Sequence, residues 1–121
     1  MNIYDEAHAL ARSIQNAEEM KRLVAAKEAL VKDQAAEKMV RDFMRLQMQM
    51  EYARITGEEK ESEREELQKL AVLVENNRLA AEYLQAFGRW QRTAMDVQKI
   101  IGDAMRGGML EWDLPAEDQQ A

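Results

Sequence analysis

The chain of 121 residues holds one proline, five glycines, one histidine and no cysteine. That composition excludes a disulfide-stapled scaffold and any cysteine-ligated zinc or iron–sulfur centre. The length suits one domain, and 46% apolar against 33% charged residues predicts a folded chain. No apolar run approaches the roughly 20 residues of a membrane span and no signal peptide opens the chain, so a cytoplasmic protein is expected.

The net charge of −6 is unevenly spread. Residues 58–66 (EEKESEREE) carry six glutamates against Lys60 and Arg64, a local charge of −4. The segment from Gly107 to Ala121 adds Glu111, Asp113, Glu117 and Asp118 with no cation. An acidic chain argues against non-specific nucleic-acid binding, which depends on cations neutralising phosphates.

Helical periodicity runs through nearly the whole sequence, with no strand alternation and no internal repeat. Asn2 followed by Asp5 is an N-cap signature. Behind it, Ile3, Ala7, Leu10 and Ile14 form a narrow apolar seam, which predicts a helix over 3–15. Asn16 with Glu19 repeats the pattern and opens a second helix, with Met20, Leu23, Val24, Leu30 and Val31 on one side. Asp33 caps a third helix from Gln34 to Thr56, closed by Gly57 in a left-handed conformation. Ser62 and Glu65 read as a capping box that starts a fourth helix, with Leu67, Leu70, Ala71 and Val74 on its apolar face. Asn76 and Asn77 mark a break before a fifth helix, a continuous fourth and fifth helix being the alternative. The fifth helix ends at Gly107-Gly108. A single helical domain over 1–106 and an acidic, flexible tail over 107–121 are therefore expected, with Trp112 docking on the body or on a partner.

Two helices carry most of the functional signal. The third has two apolar stripes. One contains Met39, Phe43, Leu46, Met50 and Ala53. The other contains Met44, Met48, Tyr52 and Ile55, centred about 180° away. A helix apolar on opposite sides is buried on both, and a chain this short predicts a second subunit on the second face. Met44, Met48, Tyr52 and Ile55 are the candidate dimer or partner interface.

On the fifth helix, Ala80, Tyr83, Phe87, Trp90, Ala94, Val97, Ile101 and Ala104 alternate three- and four-residue spacings, as in a coiled coil or long bundle helix. The same helix places Arg78, Arg92, Lys99 and Arg106, with Gln85, on one lane at seven-residue steps. Such a lane is a solvated helix back or, in the alternative reading, a track for RNA phosphates. Gly88 and Gly102 share a lane with Ala81. Each glycine costs about 1 kcal/mol relative to alanine, which points either to a close helix crossing or to local weakness.

Catalytic chemistry finds little support. His8 lies one turn from Asp5, the spacing of a di-iron bundle ligand pair, but no second such pair and no inward carboxylates accompany it. No histidine lies near Thr56 or Thr93 in sequence, Ser13 and Ser62 read as helix-end residues, and no glycine-rich phosphate loop precedes a helix. No enzyme, cofactor or metal is expected, a metal-dependent helical-bundle enzyme being the weakest alternative.

The order of these elements resembles a known family. NIYDEAHALARSI is followed by NAEEMKRLVAAKEAL, then by a helix carrying Asp33, Ala36, Met39, Val40, Phe43, Leu46 and Gln47 up to Gly57-Glu58, and last by VQKIIGDAM. Over residues 2–106 this is similar to the YlbF/YmcA family of small all-helical bacterial proteins, most of all to its YheA-like branch. The resemblance implies an all-α, cytoplasmic dimer of about five helices, two of them long, working as a non-enzymatic regulator or adaptor through helix-mediated contacts. It further implies a role in competence, sporulation or biofilm formation through RNA-processing complexes and other helical regulators. Relatives that hold iron–sulfur clusters use cysteines, which this chain lacks, so that feature does not carry over. No matched motif here performs chemistry, so the resemblance implies no functional residue.

Overall fold

The computed structural model describes residues 2–110, so Trp112 and most of the acidic tail lie outside the described residues. Five helices follow one another: α1 (Ile3–Asn16), α2 (Glu18–Val31), α3 (Gln34–Thr56), α4 (Glu61–Glu75) and α5 (Arg78–Arg106). There is no strand among the described residues. The chain is all-α, as the periodicity predicts.

Local chemistry sets most of the boundaries. The Asn2 side chain accepts the backbone N–H of Asp5 at 2.9 Å, and the Asp33 carboxylate accepts that of Ala36 at 3.0 Å, each satisfying a donor that helix geometry leaves open. Gly57 closes α3 at φ 75°, a left-handed conformation that glycine adopts without steric cost. Asn77 accepts from the backbone N–H of Ala80 at 3.0 Å, which separates α5 from α4. The continuous-helix alternative is thereby set aside.

Two predicted caps differ. α4 begins one residue before Ser62, with Lys60 in an extended conformation and no side-chain cap, so Ser62 sits inside the first turn. Ala17, also without a side-chain cap, opens α2, while Asn16 ends α1 and donates from its amide to the Arg12 carbonyl at 2.9 Å. At both places the turn geometry, and not the best capping side chain, sets the boundary.

The chain divides into two units, Met1–Arg89 and Trp90–Ala121, with the division falling inside α5. In the first unit, α3 packs along α4 across the short turn after Gly57, and α2 packs on both α1 and α3. The core is small. Leu30, Ala36, Val40, Val74 and Ala80 are buried together, with Met39, Phe43, Met44, Leu79, Tyr83 and Leu84 partly buried around them. Leu46 and Ala53 are buried further along α3. The first stripe of α3 is thus turned inward, Met39, Phe43 and Met50 being half-buried and Leu46 and Ala53 buried. No residue of α1 is buried, although its seam of Ile3, Ala7, Leu10 and Ile14 is strongly segregated from its polar side.

The second unit, of which residues 90–110 are described, continues α5 to Arg106 without a buried residue. Among the described residues, no close helix crossing is seen at Gly88 or Gly102 within its own unit. A Cβ at Gly88 would have nothing within 4 Å, and one at Gly102 would meet only the Arg106 side chain of the same helix.

Candidate functional site: an apolar face on the third helix

The second stripe of α3 divides into an inner and an outer part. Met44 packs against the core cluster. Met48, Tyr52 and Ile55 stand 74%, 67% and 72% exposed. They recur at four- and three-residue steps, so they form one row about 10 Å long on a single side of the helix. Three exposed large apolar side chains in a row are unlike scattered surface apolar residues, which need no explanation.

A shallow cavity of about 450 Å³ runs beside this row, where the last turns of α3 meet the start of α4. Met48, Tyr52 and Ala53 give it an apolar side, and Glu58, Lys60 and Glu63 a charged one. The surrounding charges are held in place by their neighbours on the same helix. Arg54 hydrogen-bonds to Glu51, which holds the carboxyl of Glu51 below the usual range and raises the guanidinium. Lys38 approaches Asp42 at 2.6 Å, and its hydrogen bond, followed by the charge of Lys38 and the Arg45 contact, lowers the Asp42 carboxyl as well. The row is therefore an apolar strip bordered by the exposed Arg54–Glu51 pair and by the acidic segment 58–66.

On α5 the predicted seam passes through different surroundings. The rings of Tyr83 and Phe87 stack with centroids 6.1 Å apart, and Tyr83 touches the core cluster. Trp90, Ala94 and Val97 are half-buried, and Ile101 and Ala104 are exposed. Sequence reasoning passed over Ile100 and Met105, which are 70% and 59% exposed beside the seam. The available signal was the absence of charge at the positions flanking the three- and four-residue spacing.

Three of the four cations of the lane contact an acid on their own helix, two of them sharing Asp103. Arg78 pairs with Glu82 at 3.3 Å and Lys99 with Asp103 at 3.2 Å, and Arg106 also contacts Asp103. The Asp103 carboxyl is held low, first by the Lys99 hydrogen bond. No group of three or more His, Cys, Asp or Glu among the described residues could hold a metal ion, and His8 is exposed. The Thr56 hydroxyl donates to the carbonyl oxygens of Tyr52 and Ala53, the role of a helix-end residue. No helix among the described residues is long and apolar enough to cross a membrane.

The chain is similar over most of its length to proteins of several bacteria. A UPF0342 protein of Desulfitobacterium hafniense is 37% identical over 106 residues, covering 87% of this chain and 86% of that protein. A UPF0342 protein of Caldicellulosiruptor bescii is 36% identical over 105 residues, 86% of this chain and 88% of its own. One from Clostridium tetani is 31% identical over 106 residues, 87% of this chain and 91% of its own. These matches assign no branch within the wider family. The family described as control of competence regulator ComK, YlbF/YmcA, matches residues 3–106, almost the whole described chain. On that match and on these relatives, the chain belongs to the YlbF/YmcA family.

Proposed function

We propose that the protein is a non-enzymatic, cytoplasmic regulatory adaptor that binds a partner protein through the exposed face of α3. The observation that carries this reading is the row of Met48, Tyr52 and Ile55, exposed beside a groove that is too open to close on a small molecule. Its partner is an amphipathic helix laid into that groove, with apolar residues at three- and four-residue spacing. Methionine suits such a surface because its unbranched, polarisable side chain adapts to different shapes. The local charge of −4 over residues 58–66 favours a partner helix with a basic flank. Family membership supports the regulatory part of the reading, in a pathway of the kind that controls a competence regulator. The partners in this reading are helical regulators or RNA-processing machinery. The protein works as a homodimer.

The test is a tagged pull-down from native-host lysate at low and moderate salt, comparing the unaltered chain with Met48→Glu and Tyr52→Glu. A partner retained by the unaltered chain and lost from both variants, with helicity unchanged, supports the reading. A partner retained equally by all three removes α3 from the account. RNA binding, the alternative, would show a steep salt dependence and would be lost in an Arg92→Glu/Lys99→Glu chain. The pairing of Lys99 with Asp103 weakens that alternative, since it offsets one of the lane's cations.

A further inference from the structure

We infer that the second copy of this chain docks on the far part of α5, as an antiparallel helix pair about a two-fold axis between residues 95 and 96. This goes beyond the adaptor reading and assigns the dimer contact to a surface other than the α3 face.

The first observation is where the charges lie. All five charged residues of the stretch 90–106, Arg92, Asp96, Lys99, Asp103 and Arg106, fall on two heptad positions away from the seam. The seam of Trp90, Ala94, Val97, Ile101 and Ala104 and its flanks Gln91, Thr93, Gln98, Ile100 and Met105 contain none. A second helix can therefore cover the seam without burying a charge, the step that makes many close contacts unfavourable. The stretch has a net charge of only +1, so two copies meet with little repulsion. Residues 58–66 beside the α3 face carry −4, and a two-fold contact there would set two such segments against each other. Charge thus assigns the α3 face to a different protein and the α5 seam to a copy of the same chain.

The second observation is self-complementary size. In the antiparallel register, Trp90 faces the partner's Ile101, and Ala94 faces the partner's Val97. Each layer then combines a larger with a smaller side chain, as close packing of knobs into holes requires. A parallel pair would set indole against indole at one layer and alanine against alanine at the next. Antiparallel helices also oppose their dipoles favourably.

Ten uncharged residues a side are fewer than the roughly 20–30 of a standard interface, so the expected dimer is concentration-dependent and not obligate.

The test is sedimentation velocity of the full chain across a wide concentration range. The unaltered chain should pass from monomer to dimer, and Val97→Glu should remain monomeric throughout. Gln91 faces the partner's Gln98 only in the antiparallel register, and both are exposed, so changes there leave the fold intact. Gln91→Lys/Gln98→Lys should weaken the dimer by about threefold or more relative to Gln91→Glu/Gln98→Lys. A chain that is monomeric at every concentration, a dimer unaffected by Val97→Glu, or equal dimer strength in the two glutamine double variants would each overturn the assignment. Loss of the dimer in Met48→Glu but not in Val97→Glu would move the contact to α3.

Discussion

The first turns of α5 and its last ones carry the same apolar seam and meet different fates. Leu79, Ala80, Tyr83 and Leu84 join the core cluster, and Ala80 is buried completely. From Trp90 to Arg106 the pattern continues with equal regularity, yet no residue is buried, and Ile100 and Met105 stand largely open. A helical seam thus marks a surface that favours cover, without saying which molecule covers it. The first part is used for folding, and the second is the surface we infer to be covered by a second copy. α3 makes the same division around its circumference, with its first stripe turned inward and Met48, Tyr52 and Ile55 turned outward.

The sharpest way to break this contrast is to place a charge in each part. Ala80→Glu forces an unpaired carboxylate into a site with no exposure and should cost more than about 3 kcal/mol, enough to unfold much of the chain in a urea titration. Ile100→Glu, on an exposed side chain, should leave the dilute chain's midpoint unchanged within about 0.5 kcal/mol. Equal losses in the two variants would erase the distinction. Truncation gives a smaller version of the same test. Tyr83→Ala removes a half-buried ring that stacks on Phe87 and should cost about 2 kcal/mol, while Met105→Ala should have almost no effect at low concentration.

Gly88 sharpens the comparison from the opposite side. An alanine there meets no neighbouring atom, so Gly88→Ala should stabilise the chain by about 1 kcal/mol, read as a higher thermal midpoint. A lower midpoint would reveal a close contact at that position. The smallest effect comes from pH. Asp42, Glu51 and Asp103 are each held below the ordinary carboxylate range by a cation on the same helix. Their contribution is present above the unfolded pKa, near 4, and is lost as pH falls through the lowered folded values. Because Glu51 and Asp103 are exposed and Asp42 is only half-buried, acidification should produce only a shallow loss of helicity by circular dichroism, and Asp103→Asn should remove the part belonging to α5.

The sequence made much of the fold legible. Asn2, Asp33 and Gly57 mark helix boundaries because each supplies a specific hydrogen bond or backbone conformation at a fixed position. Ser62 and Asn16 mislead because a good capping residue also tolerates the interior or last turn of a helix. The candidate site was legible as periodicity on α3, since the four positions Met44, Met48, Tyr52 and Ile55 share one side. Its division was not legible: Met44 reaches the core because α2 and the first turns of α5 pack around its end of α3, and that depends on contacts distant in sequence. The same holds for α5, where the spacing is uniform from Ala80 to Ala104 and the packing is not.

The most direct measurement is amide hydrogen exchange along α5 in the unaltered chain at two widely separated protein concentrations. Protection over residues 79–84 should be the same at both, because those turns are held by the chain's own core. Protection over residues 90–106 should rise with concentration, as a second copy covers the seam. Strong protection of both stretches at the lower concentration, unchanged at the higher, would contradict the claim that one helix divides its seam between folding and association.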